Sequence, residues 1–190
     1  MSNTNQPIGR IMLKNVRLAF PNLFTATTVN GEGDPRYGAS FILPPDHPQL
    51  AELRKKIDAV AAEKWKDKAA AQVKALEKQG KLALRDGDEK PSYDGFPGNF
   101  FVAASAKEGA RPTVIDGNKA ALTEKDGKIY AGCYVNASLD LWAQDNAFGK
   151  RINAQLRGVQ FLRDGDAFSA GRPADSDEFE EVSEGADDIA

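Results

Sequence analysis

The chain has 190 residues, a net charge of −3, 28 % charged residues, one cysteine (Cys133) and one histidine (His47). That length holds one domain with a real core, and so few cysteines and histidines exclude both a disulfide framework and a zinc site. No apolar run approaches a membrane span and no signal-peptide core follows Met1, so a reducing cytoplasm is the expected compartment.

In chain order, residues 1–8 read as a disordered N-terminus. The first strand region, "GRIMLKNVRLAFPNLF", is expected to stop at Pro21, which cannot donate to a central ladder. A turn-rich connection over 30–35 leads to a second strand with Tyr37, Ala39, Phe41 and Leu43 on one face. A helical insertion over about 46–79 follows. Asp46 is its expected N-cap and Pro48 lies in its first turn. Leu50, Leu53, Ile57, Val60, Ala61, Trp65, Ala69, Val73 and Leu76 form its apolar stripe, and Gly80 stops it. The Ala-rich middle is the place for a break, and Trp65 falls on the core side. The stretch "LALRDGDEKPSYDGFPGN" reads as a loop. "FFVAASA" and "RPTVID" read as strands, with turns at "DGNK" and "KDG".

The most informative stretch is "IYAGCYVNASLDLWAQ", residues 129–144, an almost unbroken alternation. Ile129, Ala131, Cys133, Val135, Ala137, Leu139 and Leu141 are the core side. Opposite them stand Tyr130, Gly132, Tyr134, Asn136, Ser138, Asp140 and Trp142, where a plain solvated face would carry Lys, Glu and Thr. The loop "QDNAFGK" closes a hairpin onto "RINAQLRGVQFLR". Its outward face carries Arg151, Asn153, Gln155 and Arg157, and a one-residue phase slip at Gly158 marks a β-bulge. The fold class expected is mainly β with an inserted helix: a five- or six-stranded, partly open, OB-fold-like barrel over 9–172.

Two readings compete for the aromatic face: a second core face under the helix, or a platform on which bases stack. Interleaved polar residues disfavour a dry interface, since each would need a buried partner. Stacking on aromatics, with Lys and Arg following phosphates, is the chemistry of sequence-tolerant single-strand binding. The candidate set is Tyr130, Tyr134, Asn136, Trp142, Phe148, Lys150, Arg151, Asn153 and Arg157, joined by Arg111, Tyr93 and Phe96.

Charge is segregated. Residues 175–190 hold eight acids and no base, leaving 20 acids against 25 bases, a body of +5. The segment 173–190 reads as a disordered acidic tail. Asp177, Glu178, Phe179, Glu180, Glu181, Asp187 and Asp188 are candidates for contacting partner proteins, and the tail could also compete with DNA for the basic body.

No P-loop is present, because the Gly-Lys pairs are followed by Leu82, Ile129 and Arg151. His47, between Asp46 and Pro48, reads as a solvated turn residue. "LRDGD" occurs at 84–88 and 162–166. Paired aspartates could hold Mg²⁺ in a nuclease, yet Asp-Gly is a strong turn signal, and the turn reading is preferred for both copies. A peptide-binding module is the remaining alternative.

"RLAFPNLF", "YGASFILPPDHP", "LRDGD", "YDGFPGNFFVAAS", "RPTVID" and the stretch from "IYAGCYVN" to "FLRDGD", in that order, resemble a family of bacteriophage single-stranded DNA-binding proteins formerly known only as a domain of unknown function. The resemblance runs from about residue 9 to 171. It implies an OB-fold, single-stranded DNA as partner, no cofactor, no enzymatic activity, and a role in phage replication, recombination or repair in the host cytoplasm. It also implies that the tail contacts replication or recombination proteins. Monomer and homodimer both remain open.

Overall fold

Alternation in the last two long strands sets the architecture. The computed structural model describes residues 6–168. Its strands are β1 (Arg10–Val29), β2 (Glu32–Leu43), β3 (Leu84–Asp86), β4 (Phe100–Lys107), β5 (Thr113–Ile115), β6 (Tyr134–Asn146) and β7 (Gly149–Arg163). They form one sheet in the order β3-β4-β2-β1-β6-β7-β5. A short parallel pairing, Ala104 with Ala154 and Ser105 with Gln155, joins β4 to β7 and curls the five long strands into a partly closed ring. This is OB-like connectivity, with β3 and β5 added at the margins.

The inward side of the ring is the expected one. Val135, Ala137, Leu139 and Leu141 of β6 and Ile152, Ala154, Leu156 and Val159 of β7 are buried, with Tyr37, Ala39, Phe41 and Leu43 of β2. The β6–β7 register shifts between Ser138–Gly158 and Leu139–Leu156, so the bulge lies at Arg157–Gly158. The hairpin loop is only Ala147–Phe148, since Asn146 pairs with Gly149.

β1 does not end at Pro21. Phe20 takes a positive φ of 48° and the β1–β2 register shifts between Ala19 and Asn22. Inside this bulge Pro21 interrupts no ladder, and the strand runs on to Val29. The opening of "IYAGCYVN" also departs from the expectation. β6 begins only at Tyr134, because Gly132 sits at φ 111°. A Cβ there would lie 2.2 Å from the Asp166 carbonyl oxygen, so only glycine permits residues 164–168 to cross over 130–132.

The insertion folds as α1 (Leu50–Trp65) and α2 (Ala69–Lys78), separated by a single 3-10 turn. The break comes where Lys66 adopts φ 53°, just ahead of the Ala-rich run. Leu53, Ile57, Val60, Ala61, Trp65, Ala69 and Leu76 join the same apolar cluster as the inward strand residues. The helices therefore close an end of the ring rather than cover the outer face of β6. The N-cap is Gln49, not Asp46. Gln49 Oε1 accepts the Lys14 N–H at 2.7 Å and its Nε2 donates to the Met12 carbonyl at 2.8 Å, tying the helix start to β1. His47 is buried at 8 % exposure, contrary to the solvated reading. Its Nδ1 accepts the Gln49 N–H, which leaves the Nε2 proton to donate to the Lys14 carbonyl at 2.9 Å.

A second, smaller core gathers Ala19, Ile42, Phe96, Phe101 and Phe168. "LALRDGDEKPSYDGFPGN" is less loop-like than expected, since it contributes β3 and a 3-10 turn over Gly87–Glu89. Pro7 accepts a hydrogen bond from Arg10 N–H, so the structured chain starts before residue 9. Residues 1–5 and the acidic tail lie outside the described residues.

Candidate nucleic-acid interface

The sheet divides the sequence-derived candidates among three places. Trp142, Phe148, Arg151 and Asn153 come together on the outer face, where β4, β6 and β7 meet at the parallel seam. They line a cleft of about 760 Å³. Its floor is built of small residues, Ala103, Ser105 and Ala154. Its aromatic groups are unburied: Trp142 is 46 % exposed and Phe148, at the hairpin tip, 91 %.

An amide relay shapes this end of the hairpin. Asn153 Nδ2 donates to Gln144 Oε1 at 2.9 Å, Gln144 Nε2 donates to Asn146 Oδ1 at 3.3 Å, and the Phe148 N–H donates to the same oxygen at 2.9 Å. The turn that presents Phe148 is thus braced from within the cleft. Arg36 and Lys107, cross-strand partners on β2 and β4, complete the basic wall. Among the described residues the ion pairs involve Arg10, Arg54, Arg85 and Arg157, so Arg36, Lys107 and Arg151 make no ion pair. Lys150 lies beside the cleft, opposite Asp145. Arg111 is exposed on the β4–β5 loop, next to the cleft residue Ala110, without lining the cleft itself.

Arg36, Ser105, Lys107 and Gln144 were missed by sequence reasoning. The signal for β4 was present: Ala103, Ser105 and Lys107 alternate with buried Val102, Ala104 and Ala106. Small outward residues ending in a lysine are what a floor under a polyanion requires.

The second group, Tyr134 and Asn136 of β6 and Arg157 of β7, lies along the outer face of the hairpin but is engaged by the protein. Arg163 stacks on Tyr134 with its guanidinium carbon 4.0 Å from the ring centroid. Asn136 accepts the Asn15 N–H and donates to Gln160 Oε1, both at 3.1 Å. Arg157 Nε lies 3.5 Å from Asp140 Oδ2, and Arg10 pairs with the same carboxylate at 2.7 Å. Hydrogen bonding and charge from Arg10, then the charge of Arg157, hold the Asp140 carboxyl below the ordinary carboxylate range. The polar residues between the aromatics do have partners, and those partners are sheet neighbours.

The third group is at the opposite end of the strands. Phe96 is fully buried and packs on Phe101 at 5.0 Å between centroids, so it is a core residue and not a stacking surface. Tyr130 precedes β6; its one hydroxyl proton is shared between Asp164 Oδ1 and the Gly165 carbonyl, and its oxygen accepts the Gly165 N–H at 3.0 Å. Tyr93 is 44 % exposed and meets Phe20 edge-on at 4.9 Å.

Neither "LRDGD" copy forms an acidic pocket. Asp86 caps its 3-10 turn by accepting the Asp88 N–H, and Asp88 accepts the Gly98 N–H. The second copy is not a hairpin turn: β7 ends at Arg163 and the chain continues to Phe168, whose N–H donates to Ala131. Among the described residues no three His, Cys, Asp or Glu side chains gather as metal ligands. No helix among them is long and apolar enough to cross a membrane.

Ring, inserted helix and basic aromatic cleft together define an OB-fold-like protein of the phage single-strand-binding type. The chain belongs to the family described as Enterobacter phage Enc34, ssDNA-binding protein, whose model matches residues 9–190. A protein from Acyrthosiphon pisum secondary endosymbiont phage 1, p50, is 45 % identical over 177 residues, 92 % of this chain and 94 % of p50. The solved single-stranded DNA-binding protein of bacteriophage Enc34 is 28 % identical, with a TM-score of 0.68 over 90 % of both chains. The same phage protein in complex with ssDNA is 26 % identical, with a TM-score of 0.64 over 84 % of this chain and 89 % of that one. The single-stranded DNA-binding protein gp2.5 of bacteriophage T7 shares the fold at 16 % identity and a TM-score of 0.56, covering 91 % of this chain and 98 % of that one.

Proposed function

We propose that this chain binds single-stranded DNA without sequence preference, through the cleft over the β4–β7 seam. The observation that carries the reading is the pairing of two exposed aromatic rings, Trp142 and Phe148, with Arg36, Lys107 and Arg151, which make no ion pair, around a floor of small side chains. Bases have a π-face whatever their identity, and each stack contributes ~1–3 kcal/mol. The cations follow the phosphates and release counterions. The solved Enc34 relative holding ssDNA supports the same reading.

In this reading the protein covers exposed strands during phage replication, recombination or repair in the host cytoplasm, and its role is binding rather than catalysis. The tail residues Asp177 to Glu181, Asp187 and Asp188 are proposed contacts for replication or recombination proteins. No observation favours the nuclease alternative.

The test is tryptophan fluorescence during titration with oligo-dT, without metal, at two salt concentrations, for the natural chain and Trp142→Phe. Salt-sensitive quenching that largely disappears in the variant supports the cleft. Quenching retained by Trp65 moves the site elsewhere, and absence of binding at low salt ends the ssDNA reading.

A further inference from the structure

The inserted helices carry more positive charge than their packing requires. Residues 50–81 hold nine bases against five acids, which is four of the five net positive charges of the body without 175–190. Among the described residues, Arg54 is the one base of this stretch in an ion pair, with Glu77 at 3.8 Å. Lys64, Lys66 and Lys68 crowd the break between α1 and α2, all three exposed. Glu63 and Asp67 are the acids beside them.

The backbone at the break is unusual. Lys66 sits at φ 53° and ψ −122°, a combination ordinarily left to glycine. Its side chain covers no core, so packing gives no reason for a lysine there. The position of the break does give one. Trp65, next to Lys66, is hydrogen-bonded to Asp145 at 2.9 Å. Asp145 stands between the cleft residues Gln144 and Asn146, and alternation turns it to the other side of the strand. The hairpin stem therefore has the basic cleft on one side and the lysine turn on the other. Phe148, 91 % exposed at the tip, stands between them.

We propose that a strand leaving the cleft crosses the hairpin tip at Phe148, and that Lys64, Lys66 and Lys68 hold its phosphates on the far side. This rests on the cleft being the primary ssDNA site and extends it. Lysines that make no ion pair release counterions when they meet a polyanion. A strand just long enough to fill the cleft does not reach the turn, so the contribution depends on length.

The experiment measures fluorescence anisotropy of the full chain with labelled oligo-dT at four salt concentrations. One oligomer has about six nucleotides and the other about sixteen, within the ~4–16 that one OB fold covers. Lys66→Gly suits the backbone of its position, so Tm should stay within about 2 °C of the natural chain. It should weaken the long oligomer about threefold and make the salt slope shallower by about 0.7, with the short oligomer unchanged. Adding Lys64→Gln and Lys68→Gln should bring the loss to about tenfold and the change in slope to about 2, again for the long oligomer alone. Lys55→Gln with Lys74→Gln, which removes charge from the helices away from the break, should leave the slope nearly unchanged. Equal affinity of the natural chain and the triple variant for the long oligomer would overturn the proposal. So would equal losses on both oligomers, or a loss as large for the Lys55 and Lys74 pair. Absence of binding by the natural chain ends the cleft reading itself, whereas binding without a length-dependent loss ends this proposal alone.

Discussion

The Trp65 indole Nε1–H donates to Asp145 Oδ2 at 2.9 Å, joining the last residue of α1 to the stem of the β6–β7 hairpin. The Lys81 carbonyl, just beyond α2, accepts the Ile152 N–H on the other hairpin strand at 3.1 Å. The inserted helices thus hold both sides of the stem that carries Trp142, Phe148 and Arg151.

Trp65→Phe removes the hydrogen bond and keeps most of the ring. The expected outcome is a loss of about threefold to tenfold in oligo-dT affinity, up to roughly 1.4 kcal/mol, with the fold preserved. Asp145→Asn, which keeps an acceptor, should lose much less than Asp145→Ala. Equal losses for Asn and Ala, measured by fluorescence anisotropy, would separate the hairpin from the helix.

Arg151→Ala should change how affinity depends on salt. Four phosphate contacts give a slope of log affinity against log salt near −3, at about −0.7 for each contact with a single strand. Removing Arg151 should make the slope shallower by about 0.7. Arg157→Ala should leave it nearly unchanged, because Arg157 faces Asp140. Binding isotherms at four salt concentrations distinguish the two variants.

Asp140 contributes stability with a defined pH sign. Its folded carboxyl ionises below the ordinary value of 3.8, so its contribution is fully present above that value and is lost as pH falls through the lower folded one. Asp140→Asn should lower Tm by about 2–4 °C at neutral pH. The gap should close as pH drops below about 3.8. A constant gap down to pH 2, followed by circular dichroism, would contradict this account.

Gly132→Ala should destabilise the fold by about 2–4 kcal/mol, through a forced left-handed backbone and a collision with the Asp166 carbonyl. Gly117→Ala, at a turn with open space around its Cβ position, is the control. Urea midpoints for the two variants provide the comparison.

Alternation was strong enough to show the β6–β7 hairpin, its Gly158 bulge and the buried side of β2 in the sequence, because a pleated strand with one buried face leaves little choice of residue type. The apolar stripe through Trp65 was readable for the same reason at a period of 3.6, whereas the helix break falls at Lys66, ahead of the Ala-rich run where it was expected. What stayed hidden depended on distant chain segments. Pro21 sits inside a strand because a bulge at Phe20 shelters it, and Tyr130 leaves the strand because Gly132 admits residues 164–168 across it. The cleft was half legible: Trp142, Phe148, Arg151 and Asn153 share a hairpin, whereas Arg36 and Lys107 join them only through the β2–β4 pairing and the β4–β7 closure. Tyr93 and Phe96 looked equivalent in one loop, yet burial separates them completely.

β7 runs from Gly149 beside the hairpin tip to Arg163, five residues short of Phe168, so the cleft and the end of the described chain lie at opposite ends of this strand. The body without residues 175–190 carries 25 bases against 20 acids and attracts a polyanion. Each copy also brings eight carboxylates rooted at the far end, and the whole chain stays at −3. A chain bound to a strand would thus keep a net negative charge of its own, which opposes close approach of other such chains.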